Sequence, residues 1–447
     1  MAVIEQRYSY AAPSSLSGTA GHRHLSLACE QIAPASPDTN FLRARALFPD
    51  VTARSLRAVS EIVGSRFYVP PAMLARILHE ADPVATVSPD AVRFEGFSAC
   101  CSAYIRLDMD DTALDVPHRQ NGTTNVDFGP ALRNALATVD KDAVLDLGIG
   151  SEAVEIVHDG NALVEKKVPL PPRWIKGFAE VQIIMAGMKR AFSLSRVAAQ
   201  RFFHALPRSK DDTLHWVLVV GGLARLSARE TPGAVPLRGG HRLRVLDSLI
   251  AQAAAIDVFV NQNTGATAWV MDLGAQRLTL VLNLDPWRGF SGDGGLLTQL
   301  ATTDGVATAA VRAQLNWQSQ IDVGAMSSAT GLSQPDVEVA LAELAAIGLV
   351  GFDLITGRYF HRVLPFDLER VWSLNPRLKA ADKLVASGAV RMVNESAAEV
   401  VSDGVTHHLQ REDGNWRCTC PWYAKNAQQR GPCKHILAVE MYLDQPQ

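Results

Sequence analysis

Nowhere in these 447 residues is there an apolar run close to the roughly 20 residues that cross a bilayer; the longest, around Trp216 to Leu223, stops far short. The start, Met1-Ala-Val-Ile-Glu-Gln-Arg-Tyr8, also lacks the basic stretch and apolar core of a secretory leader. A cytoplasmic location and no membrane partner are therefore expected. Cysteine is scarce: six are too few for a disulfide scaffold at this length. Three of the six crowd into residues 418 to 433, which in a reducing compartment points to metal, while Cys29, Cys100 and Cys101 are left over. Neither sign of charge is in excess. With 43 Lys and Arg against 46 Asp and Glu, the formal charge of −3 gives no whole-molecule attraction to phosphate backbones, so any nucleic-acid site must be local. No internal repeat is present, and 32 Gly with 23 Pro are too few for a low-complexity chain.

What is present is a globular composition, 47% apolar and 20% charged, in a chain too long for one ordinary core. Residues 1–40 mix Ser, Ala, Pro and Gly and read as a weakly structured arm. Residues 41–295 read as an α+β platform, with two subdomains that would divide near residue 143. Within it, helical spacing from Phe41 to Ala81 predicts two helices broken at Pro70 and Pro71. Alternation from Val144 to Val168 around Asp159-Gly160 predicts a hairpin. Residues 296–367 carry a short helix to Thr330, a turn with Ser333 as N-cap, a second helix Pro335 to Ile347, and a hairpin across Thr356-Gly357. That order resembles a winged helix. The fold class expected is multi-domain α+β: platform, winged-helix-like connector, and a small C-terminal unit over 368–447.

The small unit holds the most specific signal. Cys418-Thr-Cys420 is followed, after twelve residues, by Cys433-Lys-His435. Zinc prefers four tetrahedral nitrogen and sulfur ligands, and here protein supplies all four, leaving no position for an activated water. One structural zinc ion on Cys418, Cys420, Cys433 and His435 is the reading. A hairpin through Asp413-Gly414 would deliver the first pair, with Pro421 turning the chain after it, and a helix Lys434 to Leu443 would carry the second pair at its N-terminus, where thiolate charge is favoured. Three thiolates and an imidazole leave the ion at a net −1. Arg417, Lys425, Arg430 and Lys434 balance it, and no Asp or Glu lies between Arg417 and Ile436.

This pattern resembles the SWIM-type zinc finger family, Cys-x-Cys, a variable gap, then Cys-x-His, matched without departure. Gly122-Thr-Thr-Asn-Val-Asp127, Pro172-Arg-Trp-Ile-Lys-Gly-Phe-Ala-Glu-Val-Gln182, Trp287-Arg-Gly-Phe-Ser-Gly292 and Gly431-Pro-Cys-Lys-His435 are similar to phrases of full-length bacterial SWIM zinc finger proteins. The resemblance implies zinc, a bacterial cytoplasmic setting and contact with DNA or protein; it carries over no catalytic residue.

Other constellations are weaker. The second connector helix carries Asp336, Glu338 and Glu343 and no base, which phosphates would repel, although Arg358, His361 and Arg362 on the hairpin could touch a backbone. Trp416, Trp422 and Tyr423 could stack on bases or simply cover the zinc core. Gly289 to Gly295 has no following Lys-Ser or Lys-Thr, so it is no phosphate loop. Asp108, Asp110, Asp111 and Asp127 read as loop carboxylates, Cys100-Cys101 as buried, and His407-His408 as excess to a closed site. The function expected is a non-enzymatic zinc-binding adaptor or scaffold with a protein partner. The alternative is a DNA-binding protein gripping the backbone through the finger and the connector hairpin.

Overall fold

The computed structural model describes residues 8–9, 15–19, 22–28, 40–66, 83–125, 128, 130–150, 166–167, 172–210, 212–290, 305–364, 374–412 and 414–443. The chain is a multi-domain α+β protein. Its platform is built on an eight-stranded antiparallel sheet, ordered Lys189–Ser195, Ala255–Val260, Thr267–Asp272, Gln276–Leu282, Ala103–Asp110, Ala91–Phe97, Val84–Val87 and Gly122–Asn125. The central pairing sets Leu278 opposite Leu107 and Leu280 opposite Ile105, joining strands from either side of residue 143. A boundary near 143 is therefore not where the platform divides: its largest sheet is closed by pairing across that point.

A five-stranded sheet runs Ser15–Thr19, His22–Ala28, Val144–Gly150, Asn40–Ala46 and Leu114–Arg119. It corrects two expectations. Residues 15–19 and 22–28 of the supposed arm are strands, because His22–Ala28 lies parallel to Val144–Gly150 and gains a backbone ladder that composition does not reveal. Val144–Gly150 pairs with that strand and, antiparallel, with Asn40–Ala46, so its partners are distant in sequence. The Asp159-Gly160 turn lies outside the described residues, as do Pro70 and Pro71. Of the two helices expected there, Pro49–Gly64 is present, with Pro at its start and Asp50 in its first turn.

Among the described residues, the helices packed on the eight-stranded sheet include Arg196–His204, whose Phe202 stacks on Trp269 at 5.4 Å, and two more. Pro49–Gly64 lies close enough that a Cβ at Gly96 would fall 2.7 Å from Val63 Cγ2. Pro172–Ala186 brings Trp174 and Phe178 edge-on to Phe97, with ring centroids 5.9 and 4.9 Å away, and Phe290 closes the group at 5.7 Å. T-shaped aromatic clusters of this kind each add roughly 0.5–1.5 kcal/mol per pair beyond burial.

The connector has helices Gly305–Ala313, Val323–Thr330 and Gln334–Ala346, then strands Val350–Asp353 and Arg358–His361. Asp322 caps the second helix and Ser333 the third, each accepting from a backbone N–H three residues on. Val311, Ile321, Met326, Val337, Leu341, Leu344 and Val350 form its small core.

Its hairpin is turned inward. Arg362 is fully buried and pairs with Glu95 of the platform, which also accepts from Tyr104 Oη at 2.7 Å. Arg277 bonds Asp353 at 2.9 Å, Arg106 donates to the Phe352 carbonyl at 2.7 Å, and Phe352 N donates to Gln182 at 2.7 Å. Arg93 stacks over Phe360 at 4.0 Å and shares Asp108 with Arg106, at 2.9 and 2.8 Å. Two of the three basic hairpin residues considered for backbone contact are therefore turned away from solvent. Arg362 and His361 are buried, whereas Arg358 stays exposed and sits 3.3 Å from Asp322 of the connector itself. Asp108 likewise lies on a strand between two arginines, not in a loop.

The C-terminal unit is a helix, Pro376–Ala386, then a four-stranded antiparallel meander, Val390–Asn394, Ala397–Ser402, Val405–Glu412 and Asn415–Cys418, then helices Pro421–Arg430 and Lys434–Leu443. Leu378, Val400, Leu409, Trp416, Ile436, Leu437 and Val439 fill it. Among the described residues no strand of this unit pairs with a strand of the platform. No described helix is long and apolar enough to cross a membrane.

Candidate metal centre

Cys418 ends the last meander strand, so the expected hairpin does present it to the centre. Cys420 is the N-cap of Pro421–Arg430: its sulfur accepts from Tyr423 N at 3.3 Å, while its own N–H points at Cys418 Sγ, 3.4 Å away. Cys433 directly precedes Lys434–Leu443, and His435 sits in that helix's first turn. The four ligand atoms lie within 4.8 Å of one another, and all four residues are buried. His435 turns Nδ1 to the sulfurs, at 3.7 Å from Cys418 and 3.9 Å from Cys433. A tetrahedron with Zn–S near 2.3 Å and Zn–N near 2.0 Å has edges of about 3.5–3.8 Å, so the donors are spaced for one such ion.

The electrostatics agree with a cation. Adjacent Cys418 and burial push the Cys433 thiol far up, and burial raises Cys420. Burial and His407 lower His435 to about 4, keeping it the neutral imidazole that can ligate. Crowded buried thiols are unfavourable as thiolates by themselves, and a divalent ion reverses that by supplying the missing charge.

The sequence reading missed the Pro421–Arg430 helix, although Cys420 as N-cap with Pro at the first helical position is a recognisable start signal. It also missed the surroundings. His407 stacks on His435 at 4.1 Å, while its neighbour His408 faces outward, 3.5 Å from Glu399. Arg377 lies 4.7 Å over Trp422 and donates to the Pro432 carbonyl at 2.8 Å. Trp416 is buried and its carbonyl accepts from Tyr423 Oη at 3.3 Å, so these aromatics cover the core. Arg417 is exposed and 3.1 Å from Glu412; the Arg430 side chain lies outside the described residues. Elsewhere, Cys100 is buried as expected, but Arg242 donates to its sulfur at 3.0 Å and to Ser102 Oγ at 2.6 Å, a partner no spacing announces.

The family model described as "SWIM zinc finger" matches residues 408–444. No curated protein matches the chain. Two solved structures are similar in part. Proliferating Cellular Nuclear Antigen from Entamoeba histolytica is 11% identical, covering 55% of this chain and 98% of that one, with a TM-score of 0.33. The PCNA2-PCNA3 complex from Sulfolobus tokodaii is 10% identical over 54% and 98%, also at 0.33. Overlaps this loose assign neither fold nor function. The motif, the buried cluster and the family model converge on one segment: residues 408–444 are a SWIM zinc finger.

Proposed function

We propose that the protein is a non-enzymatic adaptor in which one structural zinc ion builds the finger, and the finger and platform contact a protein partner. The observation that carries this reading is the closed ligand set: three cysteines and one histidine fill a tetrahedral ion, so the metal organises a surface and activates no water. Two further features support a protein over nucleic acid. The winged-helix-like connector uses its hairpin to hold the platform, and its third helix presents Glu338 to solvent. The finger's meander also leaves Val393, Val401 and Val405 exposed, which suits a protein contact better than a phosphate one.

Recovery of the tagged native protein, with and without nuclease and with metal analysis of the same sample, tests the proposal. A nuclease-resistant protein partner with one zinc per chain is expected. Recovery that depends on intact nucleic acid, with binding that falls steeply with salt, would replace the adaptor with a DNA-binding protein gripping through the finger alone.

A further inference from the structure

Three of the four metal ligands are held by the backbone around them. Cys418 Sγ accepts from Cys420 N at 3.4 Å, Cys420 Sγ accepts from Tyr423 N at 3.3 Å, and the Cys433 sulfur accepts from the backbone N–H groups of His435 and Ile436. The usual hold on a metal-bound histidine is a hydrogen bond from its other ring nitrogen. Among the described residues, His435 Nε2 has no such partner. A hold is needed, because the last torsion of a histidine lies in a broad, roughly two-fold well. A half-turn of the ring would put Cδ2, which cannot ligate, where Nδ1 now faces the sulfurs of Cys418 and Cys433 at 3.7 and 3.9 Å.

His407 meets that need from a strand. Side chains alternate along Val405–Glu412, so His407 shares a face with buried Leu409, while Thr406 and His408 turn to solvent. Across the ladder His407 stands opposite Val400, which is fully buried. Its imidazole thereby lies against that of His435, with the ring centroids 4.1 Å apart and the planes 29° from parallel. A ring stacked on one face of His435 narrows its torsional well and occupies neither of its nitrogens.

We propose that His407 is a positioning residue for the metal centre: its ring, stacked on His435, stands in for the second-nitrogen hydrogen bond and keeps Nδ1 aimed at the ion. The proposal rests on the zinc reading of the four ligands and adds to them a fifth residue that is not itself a ligand. Stacking needs a flat ring and no nitrogen. Phenylalanine should therefore replace histidine at this position, and a side chain without a ring should not.

The test compares His407→Phe, His407→Gln and His407→Val with the parent protein, each as the full chain with zinc. Zinc affinity is read by competition with a chelator, and the His435 ring by the ¹⁵N shifts of Nδ1 and Nε2. His407→Gln and His407→Val should each weaken zinc by about tenfold, the low end of what losing an outer partner of a metal ligand costs, and should broaden the His435 resonances. His407→Phe should stay near the parent in both readouts. If His407→Val does not fold around zinc, the other two variants decide. Parent affinity with an unmoved His435 pattern in His407→Gln overturns the proposal. So does a His407→Phe variant as weak as His407→Gln, which would give the role to a nitrogen of His407. A parent chain that takes up no zinc removes the four-ligand reading itself, and the proposal with it.

Discussion

The connector and the finger are both too small to rest on a hydrophobic core alone, and they meet that problem in opposite ways. The connector leans on its neighbour: Arg362, Asp353 and the Phe352 backbone reach into the platform and meet Glu95, Arg277, Arg106 and Gln182. The finger leans on an ion: its four ligands come from a strand end and two helix starts that only a shared partner would hold together. Buried pairs are costly to assemble and costlier to break, because the surviving partner is left charged in a dry place. A metal centre is instead a single removable bond set. The connector should therefore fail with the platform, and the finger should fail first on loss of the ion, although its buried residues continue into the platform's cluster.

The largest effect expected is from breaking the metal centre. Cys433→Ser or His435→Ala should lose the zinc and, with it, on the order of 10 kcal/mol of folding free energy from the finger. Circular dichroism and metal analysis should show partial unfolding confined to this unit. Zinc retained stoichiometrically in both variants would contradict the four-ligand assignment.

Glu95→Leu comes next. It leaves Arg362 buried without its carboxylate and should cost roughly 3–5 kcal/mol, seen as a lowered denaturation midpoint for connector and platform together. The finger's chelator sensitivity should not change. Arg362 Nε and Nη2 already lack partners, so Glu95→Leu combined with Arg362→Met should recover much of the loss. A double variant as unstable as the single one would remove the charge pair from the account.

A smaller effect separates the two regions by pH. His361 Nδ1 accepts from Trp317 N at 2.6 Å, and burial lowers its pKa to about 4. Between the ordinary value of about 6.5 and that value, the unfolded chain binds a proton that the folded one refuses. The connector should hold its stability above about 6.5 and lose it as pH falls through that window. His361→Gln, which keeps an acceptor, should flatten this slope; an unchanged slope would remove His361 as its source.

The smallest runs the other way. Burial raises Glu440 in the finger to about 7, and its Oε2 has no hydrogen-bond partner. Here the folded form keeps a proton that the unfolded form gives up from about 4.5, so the finger weakens as pH rises from there through neutrality. Glu440→Gln should stabilise the finger above neutrality and leave it unchanged below about 4.5. Equal stability at high pH would show that Glu440 is not under strain.

The metal ligands were legible because Cys-x-Cys and Cys-x-His declare a donor set within a few residues. The connector helices were legible because Ser333 and Gly331 punctuate them and Val337, Leu341 and Leu344 repeat at helical spacing. Pairings between distant segments were not. Nothing in His22–Ala28 announces Val144–Gly150 as its parallel neighbour, and nothing in Arg362 announces Glu95. A basic hairpin looks the same in sequence whether it faces phosphate or a buried carboxylate. Arg377 was missed for the same reason, and His407, set aside as excess to a closed site, reaches the centre by stacking on His435 from a strand outside the motif.

The most direct test is hydrogen exchange of the full chain, resolved by segment, with zinc bound and after chelation. Residues 376–443 should lose protection on chelation while the platform and connector keep theirs. Protection of the finger that survives loss of the metal would contradict the claim that zinc builds it.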